Sequence, residues 1–153
     1  FEYIVLDSFQ AGLSWSTILN KRENFRKAFD NFDAIKISKY KEAKIEKLLL
    51  DPGIIRNRLK VVATVSNAKA FLAIQKEYGS FDKYIWQFTK GKTIKNKFTS
   101  PKQVPAKTNE SDEMSKDLYA RGFKFVGSTI CYAYMQAAGM VDDHISECFR
   151  GGK

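Results

Sequence analysis

Cysteine is scarce in this chain. Two residues, Cys131 and Cys148, stand among 153, which excludes the small, disulfide-stapled secreted class and makes a reduced, cytosolic setting the default. Long hydrophobic runs are missing as well. The apolar stretches fall short of the ~20 residues that a helix needs to cross a bilayer, and no signal-peptide pattern is present, so no membrane partner is expected. Internal repeats, low-complexity tracts and alternating strand patterns are absent, which leaves helices as the main element. A starting Met is absent too. The chain opens on Phe1-Glu2-Tyr3-Ile4-Val5-Leu6, an apolar run with no cap before it, and reads as lacking a native N-terminal segment.

What is present is enough for one domain. Residues 1–153 are 44% hydrophobic, sufficient for a real core. Lys and Arg number 26 against 17 acids, a net charge of +9. Such an excess favours a polyanionic partner, with solubility as the plain alternative.

Helical periodicity dominates. Trp15, Ile18, Leu19, Phe25 and Phe29 recur at three- and four-residue intervals behind Ser14, an N-cap residue. Leu59, Val62, Ala63, Ala70, Phe71 and Ile74 form a second stripe on a long helix that Gly79 can close. "SFDKYIWQF" predicts another short helix, and residues 89–108 a long basic loop. Ser111 is placed to cap a helix ending near Arg121 and Gly122, and a last helix runs from about Ser128 to Ala138. The expected architecture is all-α: many short helices in one compact domain.

Two stretches carry chemistry. In "RGFKFVGSTICYAYMQAAG" one helix ends at Gly122, and a tight turn leads through Lys124 and Gly127 into another. The free N–H groups at Gly127, Ser128 and Thr129, with the helix dipole, favour a phosphate, and Lys124 adds charge. An ordinary helix-helix turn filled by Phe123 and Phe125 is the plain alternative. In "LDSFQAGLSW" a lone acid, Asp7, lies in an apolar helical run before Gly12, Leu13 and Trp15.

Taken together, "QAGLSWSTILNKRENFRKAF", "GIIRNRLKVVATVSNAKAF", "SDEMSKDLYARGFKFVGSTICYAYMQAAG" and "DHISEC" resemble the 3-methyladenine DNA glycosylase I family. The likeness runs over nearly the whole chain, with four motifs in order at family-like spacing. It implies a helix-hairpin-helix glycosylase fold and hydrolysis of the N-glycosidic bond of 3-methyladenine in double-stranded alkylated DNA by base flipping. It also implies a monomer in the bacterial cytoplasm, associated with the nucleoid. Phe125 stands where the superfamily hairpin has its first Gly. Asp7 stands where the family carries Glu, whose carboxylate meets the flipped purine. An adenine alkylated at N3 is cationic, so a buried carboxylate favours it over neutral adenine. A partly exposed helix acid is the alternative for Asp7.

The likeness also gives Trp15 the stacking platform for the base, and Gly12 and Leu13 the loop that enters the gap left by the flipped nucleotide. Core packing for Trp15 and a helix staple for Leu13 are the bland alternatives. His144 and Cys148 are spaced i, i+4, as one helical face would present them to a metal. The family implies a structural Zn2+ there, with the remaining ligands expected in the missing N-terminal segment; an unmetallated pair is the other reading. "VDDH" resembles the Val-Asp-Thr-His segment of the wider superfamily and offers Asp142 as an acid near the sugar, or as a simple cap. Bifunctional relatives carry a Schiff-base Lys where this chain has Thr129, so no lyase activity is expected. A non-catalytic DNA-binding module and a bifunctional glycosylase/lyase stand as rival readings.

Overall fold

A computed structural model of the chain describes residues 1–150. The first helix, α1 (Glu2–Gln10), buries Ile4, Val5, Leu6, Asp7, Ser8 and Phe9 in succession. A helix buried on nearly every side belongs in the middle of a protein, and α1 packs against α2 (Trp15–Asn20), α6 (Arg58–Tyr78) and α9 (Ser128–Ala137). Phe9 is fully buried and meets Phe25 edge-on at 4.8 Å between ring centres. Each such side chain contributes roughly 1.5–3 kcal/mol by burial.

The predicted helix after Ser14 is two helices. Ser14 caps α2, accepting from Thr17 N at 3.2 Å. Lys21 then separates α2 from α3 (Arg22–Ala28). Ile18, Phe25 and Phe29 are buried as the pattern requires, whereas Leu19 and Trp15 face outward. Three left-handed residues, Asp30, Asn31 and Phe32, turn the chain into α4 (Ala34–Ile37). A short helix, α5 (Glu42–Leu50), leads to the long α6, which Gly79 closes at φ +83°. The buried stripe of α6 is carried by Val61, Ala63, Val65, Ala68 and Phe71; the predicted members Leu59 and Val62 are exposed. Ser80 caps α7 (Phe81–Ile85), and a 3₁₀ turn, Trp86–Thr89, enters the basic loop.

The next helix, α8 (Asn109–Ala120), starts earlier than predicted. Thr108 is its cap, and the buried Ser111 answers from the third helical position in a reciprocal capping box. A small departure from all-helical structure closes the molecule. The pair β1 (Ile94–Lys95) and β2 (Val141–Asp142) runs parallel, with Ile94 beside Val141 and Lys95 beside Asp142. It ties the basic loop to the chain beyond α9.

Candidate functional site

Asp7 sits in the core of α1, fully buried, and neither carboxylate oxygen has a hydrogen-bond partner. Burial pushes its pKa up from 3.8 to about 7. Ile4, Met114, Leu118, Val126, Ile130, Cys131 and Tyr134 enclose it. The space left at the carboxylate is ≈ 10 Å³, room for about one water. A purine must therefore displace part of this wall to reach it. An unpaired buried carboxylate costs several kcal/mol, so the fold retains Asp7 against its own stability. Its neighbours feel the same setting: the Cys131 thiol is pushed up to about 12, chiefly by burial. Tyr134 is raised by burial and then by Asp7.

Trp15 lies outside that cavity. It stands on the surface beside Leu13, and the two are 36% and 37% exposed. Gly12 sits between α1 and α2 at φ +81°, with open space where a Cβ would stand. The loop is firmly held even so. Leu13 N donates to Gln10 O at 2.7 Å, and Gln10 Nε2 donates to Leu13 O at 2.7 Å.

The hairpin is anchored through its carbonyls. Ser66 Oγ donates to Gly122 O at 3.0 Å, and Asn67 Nδ2 donates to Lys124 O at 3.0 Å. Asn67 Oδ1 accepts from Lys124 N at 2.7 Å. Ser115 Oγ donates to Val126 O at 2.7 Å, and Ser8 Oγ, which donates to Ile4 O at 2.7 Å, shares its hydrogen with Phe125 O at 3.2 Å. With its acceptors engaged inward, the turn leaves the start of α9 to the outside. Gly127 caps α9 without any side-chain bond to its first amides. Those amides have no acceptor within the helix and suit an anion. Lys124 and Thr129 are exposed beside them, and Gly127 and Ser128 half-buried. Phe125 holds φ +55°, a left-handed conformation that costs a side-chain-bearing residue about 1–2 kcal/mol. The position thus keeps a glycine-like backbone without the glycine.

One hairpin serves both features. Val126 walls the Asp7 cavity, and Gly127, the next residue, caps the open start of α9. Ser8, next to Asp7 on α1, holds the turn from behind.

Asp142 is not brought into this arrangement. It lies half-buried on β2, beside an open cleft of ≈ 460 Å³ that shares no lining residue with the Asp7 cavity. Its Oδ1 accepts only from His144 N, at 3.2 Å, among the hydrogen bonds of the described residues. The adjacent Asp143 is fully engaged by Asn96, Tyr132 and Gln136 at 2.7, 2.6 and 2.8 Å, a structural lock. His144 and Cys148 do approach, with Nδ1 3.4 Å from Sγ. The predicted helical face is wrong, however: a turn does it, with Cys148 N donating to Ile145 O at 2.9 Å. No three metal-binding side chains cluster among the described residues.

Comparisons with known proteins identify the family and the fold. The methyladenine glycosylase family model matches residues 1–151. DNA-3-methyladenine glycosylase 1 of Escherichia coli K12 is 45% identical over 148 residues, covering 97% of this chain and 79% of that protein. The DNA-3-methyladenine glycosylase of Haemophilus influenzae Rd is 47% identical over 148 residues, covering 97% and 80%. The solved 3-methyladenine DNA glycosylase I of Staphylococcus aureus superposes with a TM-score of 0.96 at 34% identity, covering 99% of this chain and 81% of that one. The chain belongs to the methyladenine glycosylase family.

For a methyladenine glycosylase, the residues that sequence reasoning missed are the ones behind the site. Ser66, Asn67 and Ser115 orient the hairpin, and Lys60 reaches the end of α1 with Nζ 2.8 Å from Phe9 O and 2.6 Å from Ala11 O. Polar residues on the buried stripe of α6, Lys60 and Asn67 among them, were the available signal. The chain brings together a buried, unpaired carboxylate, a helix start without a side-chain cap, and two partly exposed apolar side chains, Leu13 and Trp15.

Proposed function

We propose that this enzyme flips 3-methyladenine out of double-stranded alkylated DNA and hydrolyses its N-glycosidic bond, releasing free base and leaving an abasic site. The observation that carries the reading is Asp7: a buried carboxylate without a partner, in a cavity walled by α1, α8 and α9 with Val126 from the hairpin between the last two. Burial makes its charge costly when it faces nothing and valuable when it faces a cation. A base alkylated at N3 brings that cation. It leaves as a neutral molecule, so the reaction asks for little acid catalysis and much selective binding. Trp15 stacks on the base, and Leu13 fills the gap. Gly127, Ser128, Thr129 and Lys124 hold a phosphate.

Asp142 takes the smaller part, an anion near the sugar that favours positive charge at C1′ or orients water. Its support is an oxygen still open to a cleft. Thr129 carries no amine, so cleavage stops at the abasic site without a Schiff base. The reading places the enzyme in the cytoplasm at the nucleoid, as a monomer. Among the described residues, no helix is long and apolar enough to cross a membrane.

His144 and Cys148 fit two corners of a tetrahedral Zn2+ site, whose role would be to brace the chain after α9. Further donors must come from outside the described residues. Metal analysis of the purified protein should give about one zinc per chain, lost on His144→Ala; a metal content unchanged by that substitution removes the pair from the site.

The decisive experiment incubates the protein with methylated duplex DNA and chromatographs the released bases. The expected product is 3-methyladenine, with no borohydride-trapped protein–DNA adduct. Absence of the base above background sinks the reading, and a trapped adduct shows a lyase instead. DNA binding with Asp7→Asn tolerated and no base release would identify a binding module.

A further inference from the structure

The long helix α6 carries three buried polar side chains on one face, Lys60, Thr64 and Asn67, and the outer two each reach to a different element, the loop after α1 and the hairpin. Lys60 donates to the carbonyls of Phe9 and Ala11, which close α1 and open the Gly12–Leu13 loop. Asn67 clamps Lys124 in the hairpin by its N–H and its C=O. Seven residues apart, they lie two turns along the same face, about 10 Å of helix rise.

From this juxtaposition we infer that Lys60 is a positioning residue for duplex substrate: it holds the Leu13 loop in fixed register with the phosphate-binding hairpin through α6. The inference rests on the reading of Leu13 as the side chain that enters the base stack.

The local chemistry favours this use. The last turn of α1 has no basic residue of its own, and its terminal carbonyls need donors. Solvent could supply them. Instead, the chain buries an ammonium, leaving Lys60 only 8% exposed, at a real desolvation cost. Two charge-assisted hydrogen bonds offset that cost only while the loop keeps one geometry. The two Gln10–Leu13 bonds then close the loop, and Leu13 is left projecting from a rigid base. A side chain that must part stacked bases gains from such support, because a yielding loop would retreat.

Single-stranded DNA has no base-paired stack to wedge apart, and this separates positioning from general structural support. The probe is DNA with one tetrahydrofuran gap, as duplex and as single strand, with binding read by fluorescence anisotropy. No chemistry is involved, so failure of this inference is distinct from failure of base release. Lys60→Met keeps the apolar stem and removes the donor. It should weaken duplex binding about tenfold and leave single-strand binding unchanged. In a Leu13→Ala background, the same substitution should add nothing further. Equal losses on both DNAs, no loss on either, or a full additional loss in that background overturns the inference. Should Lys60→Met fail to fold by circular dichroism, Lys60→Gln decides the matter. It removes the charge and keeps an amide donor on a shorter stem; a duplex-selective loss of about threefold is expected, and an unselective loss or none overturns the inference.

Discussion

Asp7 is the residue at which stability and function oppose each other. Its pKa stands at about 7 when folded, against 3.8 as the ordinary value. Between those two values the folded chain holds a proton that the unfolded chain has lost. Raising the pH therefore lowers stability, from about pH 4 until the penalty is complete just above pH 7. About three units correspond to about 4 kcal/mol at most. Urea midpoints of the wild type should fall across pH 4–7, and those of Asp7→Asn should stay nearly flat there. Base release should move the other way, rising with pH through about 7 as the reader of the cation ionises. In Asp7→Asn it should drop by a factor on the order of 100, the scale for losing one preorganised electrostatic group. A variant of wild-type activity, or a wild type whose stability ignores pH in this range, would remove Asp7 from the role. The sequence made this acid conspicuous, because a single carboxylate broke an apolar run. Its complete burial was not legible, since that depends on Met114, Leu118 and Tyr134 arriving from α8 and α9. Lys60 and Asn67 were less legible still: they bond to backbone carbonyls and amides, and a sequence does not say which backbone lies nearby.

At the level of the element, the hairpin divides labour between its two faces. Inward groups hold its shape, and outward groups are the ones proposed to meet phosphate, so substitutions on the two faces should fail differently. Asn67→Ala strands the amide and carbonyl of Lys124. It should destabilise the protein by about 1–3 kcal/mol in urea titration and weaken DNA binding as a consequence. Lys124→Ala touches an exposed side chain and should leave the urea midpoint unchanged. It should weaken binding to all duplex sequences alike, and lower the slope of log affinity against log salt by about 1. A stability loss in Lys124→Ala, or an unaltered salt slope, would contradict the assignment of faces. Gly122 and Gly127 marked this hairpin in the sequence, and Ser14 and Gly79 marked helix ends correctly, because capping is local chemistry. The error at Ser111 has a local cause too. A capping box puts hydroxyls at both ends of a reciprocal pair, and Thr108 holds the outer one. The helical phase of α6 slipped because Leu59 and Val62 are apolar residues on an exposed face. The β1–β2 pair was invisible: two residues per strand are too few to alternate.

Across the whole molecule, α1 joins what the separate elements do. It carries Asp7, anchors the hairpin through Ser8, and ends in the loop that bears Leu13. The phenylalanine cluster stands directly under it, with Phe9 touching both Phe25 and Phe29, at 4.8 and 5.9 Å between ring centres. Asp7, the hairpin and the Leu13 loop thus share one core, and the all-α pattern was legible because that core repeats at helical spacing. A chain organised in this way should unfold in a single transition, with circular dichroism and tryptophan fluorescence tracing the same urea curve. Phe9→Ala should cost about 3–5 kcal/mol, a large share of the 5–15 kcal/mol typical of a domain, without splitting that transition. Base release and duplex binding should then fall together as urea is raised, at the shifted midpoint. If binding through the hairpin outlasted base release well past that midpoint, the two would belong to separately stable units, and α1 would not be the element that couples them.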